Sequence, residues 1–148
     1  MGYHQSADQK LNKIDCLDLL QFQGLHLHKH AFTEALAAAT LTVDAEDDGK
    51  IFLCSITTVI TLPSVGVTYG PFTFVNYGDE TDGISDVQIS ISPAAADLIN
   101  GCDISAEDNH DIINTLATAK RGDLITIDYA GATGWKITRM RGTWAKEA

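Results

Sequence analysis

The sequence predicts a mainly β fold: an antiparallel β-sandwich, jelly-roll or barrel-like domain with an N-terminal helical arm. Three observations predict it. From Thr40 onward apolar residues recur with a period of two, as where Val87, Ile89 and Ile91 alternate with Gln88, Ser90 and Ser92, the pattern of a strand buried on one face. Short Thr- and Ile-rich runs are separated by Gly-containing turns, the punctuation of an all-β chain. Ahead of them the apolar spacing is helical instead. The expected division is an arm over residues 1–38 and a β-domain over residues 39–148.

The arm begins with Ser6 and Gln9, spaced as a capping box, with Asp8 in the first turn, where a carboxylate favours the helix dipole. Leu11, Ile14, Leu17 and Leu20 then form one apolar stripe, and Gly24 interrupts it. Residues 33–39 (Thr-Glu-Ala-Leu-Ala-Ala-Ala) are rich in good helix formers, so a second, short helical segment is expected there.

Strand signals follow. Residues 51–56 and 59–62 are apolar runs, the second stopped by Pro63 and turned through Ser64-Val65-Gly66. Phe72 and Phe74 put aromatic mass on one face of the next strand. Residues 97–111 are expected to form a long loop carrying Asn100-Gly101, and 111–116 a short strand or a single helical turn. Leu124–Tyr129 and residues 135–140 flank the Gly-rich stretch 130–134, a hairpin signature. About seven or eight strands at this spacing make a sandwich, jelly roll or barrel. The expected core is Phe52, Leu62, Phe72, Phe74, Ile89, Ile127, Trp135 and Ile137.

Composition narrows the function classes. The 148 residues are 45% hydrophobic, enough for one domain with a real core. Ten Lys and Arg oppose twenty Asp and Glu, a net charge of -10; nucleic-acid affinity rests on basic residues neutralising phosphates, so no nucleic-acid partner is expected. An acidic surface suits a soluble protein or one that docks on a basic patch. No run approaches the ~20 apolar residues of a membrane span, so no membrane partner is expected, and the first residues lack the pattern of a secretory signal. Gly2 and Ser6 match the short myristoylation spacing, a match that often arises by chance. Cys16, Cys54 and Cys102 are far apart with no CxxC pair, the usage of buried free thiols in a reducing compartment.

Motifs that carry chemistry are incomplete. Asp44, Glu46 and Asp48 with Gly49 occupy the first half of a calcium loop, but its twelfth position is Ser55, where a bidentate Glu is required; an Asp-Gly hairpin turn is expected instead. His26, His28 and His30 would share a face if extended, with Glu34 nearby, yet ligand count and supporting shell are short of a metal site. Arg121-Gly122-Asp123 spells an adhesion tripeptide in a turn position. Nucleophile-elbow, phosphate-loop, HExxH and dinucleotide signatures are absent from the sequence. An acid pair such as Asp103 with Glu107 has spacing alone to recommend it. The expectation is a protein that is not an enzyme, with no catalytic, cofactor or metal residues.

The order of several phrases resembles a family of small tailed-phage virion proteins, the capsid decoration (cement) proteins. They are Thr40-Leu41-Thr42-Val43, Asp48-Gly49-Lys50-Ile51-Phe52, Ile60-Thr61-Leu62-Pro63, Gly70-Pro71-Phe72-Thr73-Phe74 and Val87-Gln88-Ile89-Ser90-Ile91. Lys120-Arg121-Gly122-Asp123, Gly134-Trp135-Lys136-Ile137 and Gly142-Thr143-Trp144 complete the set. The resemblance spans Thr40 to Trp144 and rests on turns and core aromatics. It implies a virion protein on the outer capsid surface, made in the host bacterial cytoplasm. Such a protein would be a homotrimer bound to the major capsid protein and bridging neighbouring copies of it. Related strand patterns in tail-fibre and baseplate components imply the alternative, a receptor-binding domain using Tyr69, Tyr77 and Tyr129.

Overall fold

The computed structural model describes residues 33–66, 70–94, 97–105, 107–132 and 134–148. They belong to the compact unit Ala31–Ala148. The stripe Leu11, Ile14, Leu17 and Leu20 and the histidines 26, 28 and 30 lie outside the described residues, as do Tyr69 and Cys16.

Thirteen strands are described. In chain order they are β1 (Thr33–Leu36), β2 (Thr40–Thr42), β3 (Ile51–Cys54), β4 (Thr58–Thr61), β5 (Phe72–Asn76), β6 (Glu80–Thr81) and β7 (Ile84–Ser85). Then come β8 (Ile89–Ser92), β9 (Leu98–Asn100), β10 (Ile112–Asn114), β11 (Leu124–Tyr129), β12 (Gly134–Arg141) and β13 (Ala145–Lys146). Two sheets face each other: β1-β3-β5-β11-β12-β9, and β13-β10-β8-β4-β2. Strands β6 and β7 form a separate hairpin.

The sheets are mixed, not antiparallel as expected. β1, β3 and β5 are parallel neighbours in the first sheet, and β2, β4 and β8 in the second. From β1 to β5 the chain alternates between layers at each step, so each return to a sheet arrives in the direction of the previous visit. A strand of the opposite sheet supplies the crossover that parallel neighbours need. Only afterwards do antiparallel pairs appear, β10 against β8 and β13 and β11 against β5 and β12, while β12 takes β9 as a parallel neighbour on its other side.

Both sheets close on one core. Phe52 and Phe74 stack with ring centroids 5.5 Å apart, and Phe72 lies 5.8 Å from Trp135. From the other sheet Ile60, Ile89, Ile91 and Ile112 join the same cluster. All eight residues expected in the core are buried. Between β11 and β12 a bulge leaves Thr138 without an opposite number, since Thr126 pairs Arg139 and Ile127 pairs Ile137. The extra residue resets the alternation, so that Trp135, Ile137 and Met140 all face inward.

Three local expectations are corrected. Residues 33–39 begin a strand, not a helix: Leu36 is buried opposite Cys54 as β1 extends the sheet beside β3. Tertiary pairing overrides a helix preference worth only a few tenths of a kcal/mol per residue. The sheet therefore starts ahead of residue 39. The stretch 97–111 is not one loop, because β9 pairs parallel with β12, Gly134 opposite Leu98. Asp48-Gly49 forms a turn, with Lys50 N–H donating to Asp47 O at 2.9 Å, but not a hairpin turn. It links β2 to β3, which lie in different sheets.

Replacing Phe74 with Ala should cost about 3–5 kcal/mol of unfolding free energy in urea, the usual range for an emptied aromatic core site. Thr61→Ala, on the exposed face of β4, should stay within about 0.5 kcal/mol.

Candidate interaction surface

One end of the two-sheet unit is held by a buried polar network. Asn76 closes β5, and its Nδ2 donates to Asn114 Oδ1 at 2.9 Å and to Val87 O at 2.8 Å. Ser85 Oγ donates to Asn76 Oδ1 at 2.6 Å, and Gly78 N–H at 3.2 Å. Asn114, at the end of β10, donates to Asp123 Oδ2 at 3.0 Å and to Thr143 O at 2.9 Å. Lys120 N–H donates to the same carboxylate oxygen at 2.9 Å. Asn76, Asn114, Asp123 and Ser85 are all buried. Buried amides and carboxylates are tolerable only when partnered this completely. The carboxylate lies against Gly142, where a Cβ would overlap Asp123 Oδ1. Only glycine admits that approach.

This network fixes the loops 77–88, 115–123 and 142–144 over the ends of β5, β10 and β11. Short connections 37–39 and 55–57 complete the same end. The exposed large hydrophobic residues among those described are Ile56, Val59, Tyr77, Ile84 and Leu116, and all belong to this end. Tyr77 N–H donates to Cys54 O at 2.8 Å, two residues before Ile56. Gln88 N–H donates to Thr57 Oγ1 at 3.1 Å, and Leu116 N–H reaches Gln88 Oε1 at 3.4 Å. Ser85 N–H donates to Ala119 O at 2.7 Å, and Val59 is the second residue of β4. The Arg121 guanidinium lies 4.1 Å from the Tyr77 ring centroid and 3.7 Å from Asp79. Scattered apolar side chains on a surface are ordinary, so their gathering on one end makes that end the candidate surface.

The motifs singled out in the sequence have structural employment here. Asp44 caps a short 3-10 turn, accepting from Glu46 N–H at 2.8 Å, while Asp47 accepts from Asp44 N–H at 3.1 Å and binds Lys50 at 2.7 Å. Ser55 Oγ donates to Leu36 O at 3.2 Å. Glu34 pairs with Lys50 at 2.9 Å, and hydrogen bonds to Asp47 and Glu34 hold the lysine above its ordinary range. Among the described residues no cluster of three His, Cys, Asp or Glu side chains could hold a metal ion. The adhesion-like tripeptide is a turn in which Asp123 is the buried network member, so its carboxylate does not face solvent.

Asp103 sits in the exposed turn after β9, and Glu107 pairs with Lys146 at 2.5 Å and His110 at 3.5 Å. The lysine hydrogen bond pulls the Glu107 carboxyl below its ordinary value, the opposite of a general acid held protonated. Tyr77 and Tyr129 are at opposite ends: β5 ends beside the start of antiparallel β11, and Tyr129 closes β11 edge-on to Trp135 at 6.2 Å. Cys54 is a buried free thiol as expected, but Cys102 is exposed. It occupies a tight turn at φ 48, outside both sheets.

Sequence reasoning expected Tyr77 on an exposed loop, where it lies, and did not single out Ile56, Val59, Ile84 or Leu116. The available signal was Asp82-Gly83 between Thr81 and Ile84, a two-residue hairpin signature, with both central residues at positive φ (54 and 79).

Two measurements test this description. Burial pushes the Cys54 thiol up to about 12, so in a Cys16→Ser background Cys102 should react with a thiol reagent in the native protein and Cys54 only after unfolding. Because the folded state favours ionised Glu107, its contribution is complete above the ordinary carboxyl value of 4.5 and is lost as pH falls through the lowered folded value. Glu107→Gln should therefore lower Tm slightly at neutral pH and leave it unchanged in acid. Comparison of the chain with protein-family models and with curated proteins finds no match.

Proposed function

We propose that this protein is a virion structural protein, a capsid decoration protein of a tailed bacteriophage. In this reading it binds the outer surface of an icosahedral head as a homotrimer and ties neighbouring major capsid proteins together. The observation that supports it best is the gathering of Ile56, Val59, Tyr77, Ile84 and Leu116 on one end of the two-sheet unit. A rigid end with an apolar centre is suited to seating on another protein surface. Modest contacts of this kind add up when three copies act through one effective concentration. The added energy then appears in the assembled shell, where it opposes the internal pressure of packaged DNA.

A receptor-binding role in a tail fibre or baseplate is the second reading. It is favoured by Tyr77, exposed and stacked by Arg121, whose guanidinium also reaches the Asp79 carboxylate. Aromatic faces edged by polar groups are suited to sugar rings.

Quantitative mass spectrometry of purified particles of the encoding phage separates these roles. A copy number comparable with the major capsid protein is the expected result. A handful of copies would move the protein to the tail, and complete absence from particles would overturn both readings.

A further inference from the structure

Two surfaces of this chain are complementary to each other. The first is the hairpin β6–β7. Asp82 and Gly83 make its turn, and Ile84 projects from it 44% exposed. Around that apolar tip stand Asp79, Glu80, Asp82 and Asp86, all exposed, and residues 77–88 contain no Lys or Arg. Glu80, Asp82 and Asp86 form no ion pair among the described residues, and Asp79 has only its 3.7 Å contact with Arg121.

The second surface is the outer face of the six-stranded sheet. Register sets Leu53 opposite Val75, Val75 opposite Leu124, and Leu124 opposite Arg141. The next row on that face sets Ile51 opposite Thr73, Thr73 opposite Thr126, and Thr126 opposite Arg139. The inward residues of these strands, Phe52, Phe74 and Ile125, fill the core. The alternate ones therefore form two half-exposed rows, one apolar and one carrying Thr73 and Thr126, each ending in an arginine. Beyond them Lys136 faces Asp128. Among the described residues Arg139 and Arg141 form no ion pair.

We propose that copies of this chain associate head to tail. The β6–β7 hairpin of one copy docks on the Leu53-Val75-Leu124 row of the next, with its carboxylates on Arg139 and Arg141. Charge complementarity selects a second copy as the occupant. At a net charge of -10 like copies repel in general, so association needs a local patch of opposite sign, and this face supplies one. The donor and acceptor surfaces differ, which makes the contact heterologous. A heterologous contact closes into a ring when its rotation permits, and otherwise propagates. The inference rests on the association of like copies proposed above and names the surfaces that make it.

Sedimentation equilibrium of the full chain tests it with two variants, Glu80→Arg/Asp82→Arg on the hairpin and Arg139→Glu/Arg141→Glu on the sheet. The wild type should be a closed oligomer that loosens as salt shortens the screening length from about 10 Å at 0.1 M to about 3 Å at 1 M. Each variant alone should weaken association about 100-fold or more, since like charges then meet across the contact. In an equimolar mixture each reversed surface meets its complement on the other chain, so the two variants should associate again in alternation; a ring of three would keep one mismatched contact, so the recovered species have even numbers of chains. Circular dichroism melting verifies that both variants fold. Folded variants that retain the wild-type mass, or that stay monomeric when mixed, would overturn the hairpin-to-sheet contact and leave the trimer of the functional proposal standing. A wild-type chain that is monomeric at low salt would remove both.

Discussion

The hydrogen bond between Asn76 and Asn114 is the constraint on which the arrangement of this molecule turns. The two amides belong to opposite sheets and meet at 2.9 Å in a fully buried position. A lone buried amide is costly, so each must spend its remaining donors and acceptors locally. They do so on Val87, Ser85, Asp123 and Thr143. One interaction thereby fixes the spacing of the layers and anchors three loops. Tyr77, Ile84 and Leu116 stand on segments that begin or end beside members of this network.

The winding of the chain is the second determinant. Strands that alternate between layers give parallel neighbours at the start of the unit, and the later strands reverse against them. In such a coil each strand rests on its sheet neighbours and on the layer opposite, which explains why strands of three or four residues persist. The longest strand, β12, lies near the opposite edge of its sheet and needs a bulge at Thr138 to keep Trp135, Ile137 and Met140 inward. Without the bulge the odd residue would turn half of that strand outward.

Charge is distributed unevenly over this scaffold. Acidic residues dominate the whole chain, yet Arg139 and Arg141 share the outer face of β12 while the β6–β7 hairpin carries carboxylates alone. Patches of opposite sign on an otherwise repulsive molecule favour contacts with defined orientation over random association. The outer face of the second sheet sets Thr40, Thr42, Thr61 and Ser92 around the exposed Val59.

Alternation along the chain was enough to specify the β class, the inward residues and the major hairpin. Period-two alternation reports which side chains leave water, and that depends only on neighbours along the strand. Phe52, Phe72, Phe74, Ile89 and Trp135 were legible for that reason, as was the β11–β12 turn. Strand direction and partner were not legible, because parallel and antiparallel neighbours bury the same faces. Thr33–Leu36 became a strand only because the edge of β3 was open to it, against its own helical preference. The candidate surface was decided at the same level. Ile56, Ile84 and Leu116 have the composition of core residues, and only the fold, by carrying their backbones past the end of the sheets, left them in water.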